Sequence, residues 1–302
     1  MRLRTLILVS SLIGIVLIVP LLAYAQEEQE QQKAVVLTFD DNYRSQYEFV
    51  RPLLEKYGFN ATFFIYCQLK DGQLSWNEIR DLDKRGFDIQ AHSMTHMNLE
   101  HASAADLVKE VSDSRYCIED EVMSDVDIFA TPFASGAENQ TVLQAIRDAG
   151  YKFARAGYSN HFDLNCDRHS EPGCQLFYTN GTMMKEQNRY NIPTSNMNGL
   201  WRDHSNGSVA TGLQSFKQQI EKNIDYDDQG KLTALPVLVY HNFSSLKESD
   251  INAGKNPNIP MELFEQEMKY LADQNYVVLS MDDLEYDSKA GSQVFSIPAL
   301  EE

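Results

Sequence analysis

Val35-Val36-Leu37-Thr38-Phe39-Asp40-Asp41 is the stretch from which the rest of the chain is read. A run of β-branched and apolar residues fits a strand covered on both faces, as in parallel sheets. It ends on two adjacent carboxylates, which packing does not require. In parallel α/β sheets and barrels, the C-terminal strand ends are where catalytic groups gather. Outward from this strand, helical and extended patterns alternate. Val50, Leu53, Leu54 and Tyr57 form a helical stripe stopped by Gly58, and residues 61–65 follow as a strand. Ser75-Trp76-Asn77-Glu78 is a capping box opening a helix that stops at Gly86. The strand 87–91 runs straight into His92. A long helix is expected over 104–122, with Val108, Val111, Ile118 and Val122 facing inward. The strand 127–130 ends at Thr131-Pro132-Phe133, a helix over 141–149 stops at Gly150, and 151–154 is extended. After 208 the pattern returns as a stripe of Leu213, Phe216, Ile220 and Ile224, a strand 236–240 ending at His241, a helix 261–274 and a strand 276–280.

Strands alternating with helices argue for one α/β domain built on a mainly parallel sheet. Asp40-Asp41, His92, Pro132-Phe133 and His241 each follow directly after an expected strand. In a parallel barrel those points share one rim, so a (β/α) barrel is preferred over an open sheet. The stretch 157–208 is rich in Asn, Gly, His and Cys, has no clear period, and reads as an irregular insertion in a domain of 34–290, with 291–302 as a tail.

The chain has 302 residues, a 43% apolar content sufficient for a core, and a formal net charge of −18. That field disfavours nucleic acid and anionic lipid as partners and suits a metal cation or a neutral or cationic polymer, although surplus acid also serves solubility. Arg2 and Arg4, an apolar run over 6–22 and Ala23-Tyr24-Ala25 have the layout of a secretory signal over 1–25. Uncleaved, the same run is long enough to anchor the chain in a membrane. Either way the body is exported, secreted or held facing outside, with 26–33 as a polar, disordered tether. Export permits disulfides. Cys166 and Cys174 lie close together in a Gly/Pro/Asn-rich stretch and are candidates for a local bridge, one of three pairings open to Cys67, Cys117, Cys166 and Cys174.

His92-Ser93-Met94-Thr95-His96 carries two imidazoles four apart, which a helical turn would place on one face around a single metal ion. Asp41 adds a carboxylate from a neighbouring strand end. Two histidines and one aspartate leave coordination positions open, the pattern of a catalytic centre. Adjacent side chains on an extended segment diverge, so Asp40 is free to face substrate as a general base. His241 is available as a general acid or is a satisfied core histidine. Tyr43 and Phe133 are rim aromatics that could line a substrate site or simply pack.

Thr38-Phe39-Asp40-Asp41, His92-Ser93-x-Thr95-His96 and Leu238-x-Tyr240-His241 together resemble the motifs of polysaccharide deacetylases, the NodB-homology enzymes of carbohydrate esterase family four. The resemblance runs in order over about residues 34–283. It implies a distorted (β/α) barrel with fewer than eight strands, and one divalent ion, zinc first, with cobalt or manganese as alternatives. The implied reaction is hydrolysis of the acetamido groups of N-acetylglucosamine-type polymers, an acetylated polysaccharide substrate, with release of acetate. By the same resemblance Asp40 is the base, Asp41, His92 and His96 the ligands, and His241 the acid. Pro132 and Phe133 belong to the third motif, where Phe133 or its neighbour would offer a backbone N–H to the oxyanion. The arginine that usually stands in that motif is missing from Phe129-Ala130-Thr131-Pro132-Phe133-Ala134. A fourth motif, an Asp and a Trp, has only weak candidates in Asp163 and Trp201. Hydrolysis of O-acetyl esters and a binding module without turnover are the competing readings.

Overall fold

Seven parallel strands close into a barrel in the computed structural model, which describes residues 31–158, 162–164, 178–179, 182–183, 188–245, 258–287 and 294–300. They are β1 (Ala34–Asp40), β2 (Thr62–Ile65), β3 (Asp88–Ala91), β4 (Ile128–Ala130), β5 (Phe153–Tyr158), β6 (Ile192–Asn196) and β7 (Val237–Tyr240). Closure is made by β7 against β1, in register from Val36↔Val237 to Phe39↔Tyr240. An eighth strand, β8 (Val277–Leu279), pairs only with the N-terminal end of β1 and stands outside the ring. The helices are α1 (Arg51–Tyr57), α2 (Trp76–Lys84), α3 (Ala104–Leu107), α4 (Ser114–Glu119), α5 (Gln140–Asp148), α6 (Met197–His204), α7 (Val209–Glu221) and α8 (Met261–Asp273). Among the described residues no helix is long and apolar enough to cross a membrane.

All seven residues of β1 are buried because both faces are covered. The period of two along a strand divides them. Val35, Leu37 and Phe39 join the outer core beneath the helices, while Ala34 and Val36 join an inner cluster with Phe64, Ile128, Ala130, Phe153 and Val237. Each such Val, Leu or Phe contributes about 1.5–3 kcal/mol of hydrophobic stabilisation. On the outside, Phe39 stacks on Phe63 and Tyr240, at centroid distances of 5.1 and 5.5 Å, and Phe264 of α8 meets both Phe39 and Tyr240 edge-on. This aromatic layer stiffens the strand ends that lead to the rim.

Local signals are realised where sequence chemistry was explicit. Gly58 takes the left-handed C-cap (φ 68°) that stops α1, and Ser75 and Glu78 form the reciprocal capping box of α2. Four expectations are corrected. Val108 is 57% exposed rather than inward, because the helical turns over Val108–Asp113 widen to a π-type segment that shifts the facing stripe. The stretch 157–208 contains a barrel strand, β6, and helix α6; Ile-Pro-Thr-Ser-Asn lacks the apolar run that marks a buried strand, yet Leu238↔Ser195 and Val239↔Asn196 pair it to β7. The tail is not free: Val294–Ser296 pairs with Glu285–Asp287, and Phe295 packs edge-on against Phe153 and Phe162 in the inner cluster. The tether ends in the fold, since Val277 N–H donates to the Lys33 carbonyl (2.8 Å). The signal segment 1–25, with its apolar run 6–22, and both Cys166 and Cys174 lie outside the described residues. The disulfide that the structure does contain joins Cys67 to Cys117.

Candidate active site

The strand period also decides what the barrel interior receives. On β1 the even residues point inward, so Asp40 follows Val36 and Thr38. On β7 Val237 is inward, and the same parity carries through Val239 to His241. On β3 and its continuation Ile89 and Ala91 face outward, leaving His92 inward; on β5 Phe153 is inward, and so is Arg155. These four side chains meet at the C-terminal end of the barrel in a cleft of about 220 Å³, whose wall also includes Asp41, His96, Thr131, Phe133 and Thr194.

Asp41 does not diverge from Asp40 as an ordinary strand residue would. Its backbone turns to φ 73°, and both carboxylates line the cleft. Six of the eight non-glycine residues with positive φ among those described belong to this rim: Asp41, Asn42, Ser93, His96, Phe133 and Ala134. Asp, Asn and His tolerate that region better than most residues, and a concentration of such backbone marks a site held in shape by its surroundings. The His92–His96 segment is likewise not the helical turn expected from its spacing. It is a loop with left-handed Ser93 (φ 74°) and His96 (φ 63°), closed by a hydrogen bond from His96 N–H to Ser93 Oγ (2.9 Å).

The loop still brings both imidazoles to Asp41. His96 Nε2 lies 2.9 Å and His92 Nε2 3.5 Å from Asp41 Oδ1, and one ligand atom from each residue falls within 4.8 Å of the others. His92 Nδ1 donates to the Ala130 carbonyl (2.8 Å), which leaves the Nε2 lone pair facing Asp41. Asp41 Oδ1 is buried and, among the described residues, meets no donor in full hydrogen-bond alignment, its nearest partner being the His96 imidazole at ion-pair distance. A buried carboxylate oxygen facing an imidazole lone pair is poorly satisfied by protons alone, and the donor set of one carboxylate and two imidazoles fits a divalent ion. Burial works to raise the Asp41 pKa, but the two imidazoles, when protonated and with no ion between them, overcome it and hold the carboxyl far below the usual carboxylate range. Burial lowers the His92 pKa, while Asp40 and Asp41 pull it up and prevail.

Asp40 is handled by a different partner. Arg155 Nη2 pairs with Asp40 Oδ1, with both side chains almost wholly buried, and the guanidinium lies 4.5 Å from the centroid of the Phe64 ring beneath it. The arginine that pairs with Asp40 stands on the barrel strand after the one that carries the third-motif stretch. Sequence reasoning missed it because the pairing spans 115 positions; the available signal was the inward parity of Phe153-x-Arg155. Asp40 Oδ2 is directed to the other side, 3.7 Å from His92 Nε2. His241 faces the same cleft. Its N–H donates to Asn198 Oδ1 (2.9 Å) and its carbonyl accepts from Gln46 Nε2 (3.0 Å), so the strand end carrying it is fixed. Burial draws the His241 pKa below its ordinary value against the pull of Asp40 and Asp41.

Phe133 is 61% exposed and projects over the cleft with its ring 4.5 Å from His96. Pro132 and Tyr43 are not in the wall: Pro132 is buried with its carbonyl accepting from Ser135, and Tyr43 bridges to Gln73. Asp163 lies in a separate three-stranded antiparallel sheet and Trp201 is in the outer core, so neither lines the cleft. Thr131 Oγ1, in the wall and buried, has no hydrogen-bond partner.

Residues 27–154 match the family model described as polysaccharide deacetylase. YxkH of Bacillus subtilis, assigned by its name to the polysaccharide deacetylases, is 26% identical over 133 residues, covering 43% of this chain and 47% of that protein. A bifunctional xylanase/deacetylase of Pseudobutyrivibrio xylanivorans is 31% identical over 117 residues, 39% of this chain and 19% of that protein. The chain therefore spans less than half the length of either relative. Among solved structures, the Xyl-CE4 domain of a multidomain xylanase from the hindgut metagenome of Trinervitermes trinervoides shares the fold at TM-score 0.50 and 19% identity, covering 83% of this chain and 88% of that one. A CE4 family pseudoenzyme from Bacillus anthracis superposes at TM-score 0.52 and 15% identity, covering 83% and 64%.

Proposed function

We propose that this member of the polysaccharide deacetylase family is an exported, metal-dependent hydrolase that removes acetyl groups from N-acetylglucosamine-type polymers. One observation carries the reading: a 220 Å³ cleft holds the buried Asp41 Oδ1 between two imidazoles and, beside it, an Asp40 carboxylate gripped by Arg155 on one oxygen only. Fold alone would not suffice, because the barrel also occurs in a pseudoenzyme.

Asp41, His92 and His96 would hold the ion, zinc by its donor set, which when bound supplies Lewis-acid polarisation of the acetyl carbonyl and acidifies water. The chain's own groups move the protons. Asp40 Oδ2, the oxygen that Arg155 leaves open, takes a proton as water attacks the carbonyl carbon. Arg155 keeps that carboxylate in one orientation. A backbone N–H at Phe133 or its neighbour donates to the developing oxyanion. Protonated His241, its pKa lowered by burial, is a strengthened acid that gives its proton to the leaving nitrogen as the C–N bond breaks. Acetate and a free amine result. Exposed Phe133 offers a face on which a sugar ring can stack. The signal-like segment of residues 1–25 supports an exported site of action.

A second reading, O-acetyl ester hydrolysis on the same centre, is favoured by the similarity of part of the chain to a bifunctional xylanase/deacetylase. The test is acetate release from N-acetylglucosamine oligomers and, in parallel, from acetylated xylan, after chelation and after adding zinc back. Zinc-restored release from the oligomers is the expected result. Release from xylan alone selects the second reading, and no release from either polymer overturns both.

A further inference from the structure

Glu110 is a buried carboxylate that none of the proton transfers above uses. It is 2% exposed, on the π-type segment Val108–Asp113 between α3 and α4, on the outer side of the barrel. A charge in that position is tolerated only when its oxygens are engaged. Both are, and both by one residue of the histidine loop: Thr95 N–H donates to Oε2 (2.9 Å) and Thr95 Oγ to Oε1 (2.7 Å). Met94 N–H donates to the Glu110 backbone carbonyl (3.1 Å). From the opposite side, Cys67 N–H donates to the Ser93 carbonyl (3.2 Å) and Gln68 N–H to the Met94 carbonyl (2.8 Å). The two arms gripping the loop are themselves cross-linked, since Cys67 on one is disulfide-bonded to Cys117, seven positions beyond Glu110 on the other.

We infer that Glu110 is a positioning residue for the metal site, acting through Thr95 to hold His92 and His96 at their spacing, and that the Cys67–Cys117 disulfide locks the clamp. The physical need is visible in the backbone. Ser93 and His96 sit in left-handed conformations that a free loop would leave, and such strain persists only where the surroundings impose it. Releasing the clamp lets the loop relax, so the two imidazoles no longer converge on Asp41 without rearrangement. The cost falls on ion binding, before any chemistry. Glu110 touches neither ligand side chain directly, and the outcome of removing it is graded rather than total.

The inference rests on the reading of Asp41, His92 and His96 as ligands, and the experiment separates the two. Zinc dissociation constants are measured on the metal-free full chain by competition with a chromophoric chelator, alongside thermal unfolding of the same metal-free proteins. Glu110→Leu keeps about the volume and removes both acceptors from Thr95. It is expected to weaken zinc binding by about 10-fold, the low end of the cost of losing a direct partner of a metal ligand, because Glu110 acts one residue removed, through Thr95. Thr95→Val is expected to weaken it in the same direction, and Thr95→Ser, which keeps the hydroxyl, to restore wild-type affinity. Cys67→Ser/Cys117→Ser is expected to weaken zinc binding by less than Glu110→Leu. An unchanged zinc affinity in Glu110→Leu overturns the clamp, however far its Tm falls, and leaves the metal site standing. Wild-type protein that binds no zinc overturns the metal reading and the clamp together.

Discussion

Asp40 and Glu267 are both nearly inaccessible, at 3% and 2% exposure, and they occupy opposite chemistries on the two sides of one barrel wall. Asp40 faces inward and meets the guanidinium of Arg155, with an imidazole beyond. Glu267, on α8, is pressed against the outer face of β7, where Tyr240 Oη donates to its Oε2 (3.0 Å). With no cation beside it among the described residues, burial pushes the Glu267 pKa up to about 8, the tyrosine hydrogen bond opposing only in part. At neutral pH that carboxyl is protonated and serves packing. The lesson is that burial alone makes an acid inert, whereas burial beside a fixed positive charge makes it a directed one. Tyr240 and His241 repeat the contrast one residue apart, the first facing the helix layer and the second the cleft.

The comparison can be broken first at Asp40. Asp40→Asn is expected to lower turnover by about 10²–10⁴-fold, the range for losing a positioned general base, while zinc binding persists. Acetate release and zinc titration on the same protein check it, and near-normal turnover would sink Asp40 as the base. Arg155→Met strands a buried carboxylate without its partner and is expected to cost about 3–5 kcal/mol of stability in denaturant unfolding. Adding Asp40→Asn to that variant removes the uncompensated charge, so much of the loss should return. If the double variant is no more stable than Arg155→Met alone, the pair is not coupled as the geometry indicates.

Glu267 gives the smaller and subtler effect. Its folded pKa of about 8 lies above the ordinary value of 4.5, so the folded state holds one more proton than the unfolded state between those pH values. Stability is therefore greatest on the acid side and falls as pH rises through the window, by at most about 1.4 kcal/mol per pH unit from this group. Asp88, raised to about 7 by burial, adds a slope of the same sign. Glu267→Gln is expected to flatten the wild-type decline between about pH 5 and 8 and to leave acetate release intact. Parallel pH slopes for variant and wild type would show that Glu267 is not held neutral.

Much of this was legible in the sequence because it is local. The capping box of Ser75 and Glu78, the Gly58 stop and the doublet Asp40-Asp41 at the end of an apolar strand are decided within a few residues. So is the order of the rim histidines. Strand β6 was not legible, because Ile192–Asn196 is recruited by its neighbours in the barrel rather than by its own apolar pattern. The His92–His96 loop was read as a helical turn, since spacing reports separation along the chain and not the backbone that spans it. The arginine beside Asp40 was sought in the wrong segment, because the next barrel strand can deliver the same charge to the same place.

The sequence by itself determined the alternation of strands and helices, the inward parity of Asp40 and His241 once their strands exist, and the residue types that can bind an ion. Only the tertiary structure decided which groups meet. Barrel closure brings Arg155 to Asp40 across 115 positions, left-handed backbone re-aims Asp41 beside its neighbour, and Cys67 finds Cys117. The physical reason is range. Hydrogen-bond period and capping act over one or two turns, whereas pairing of buried charges and thiols depends on distances set only when the ring of strands has closed.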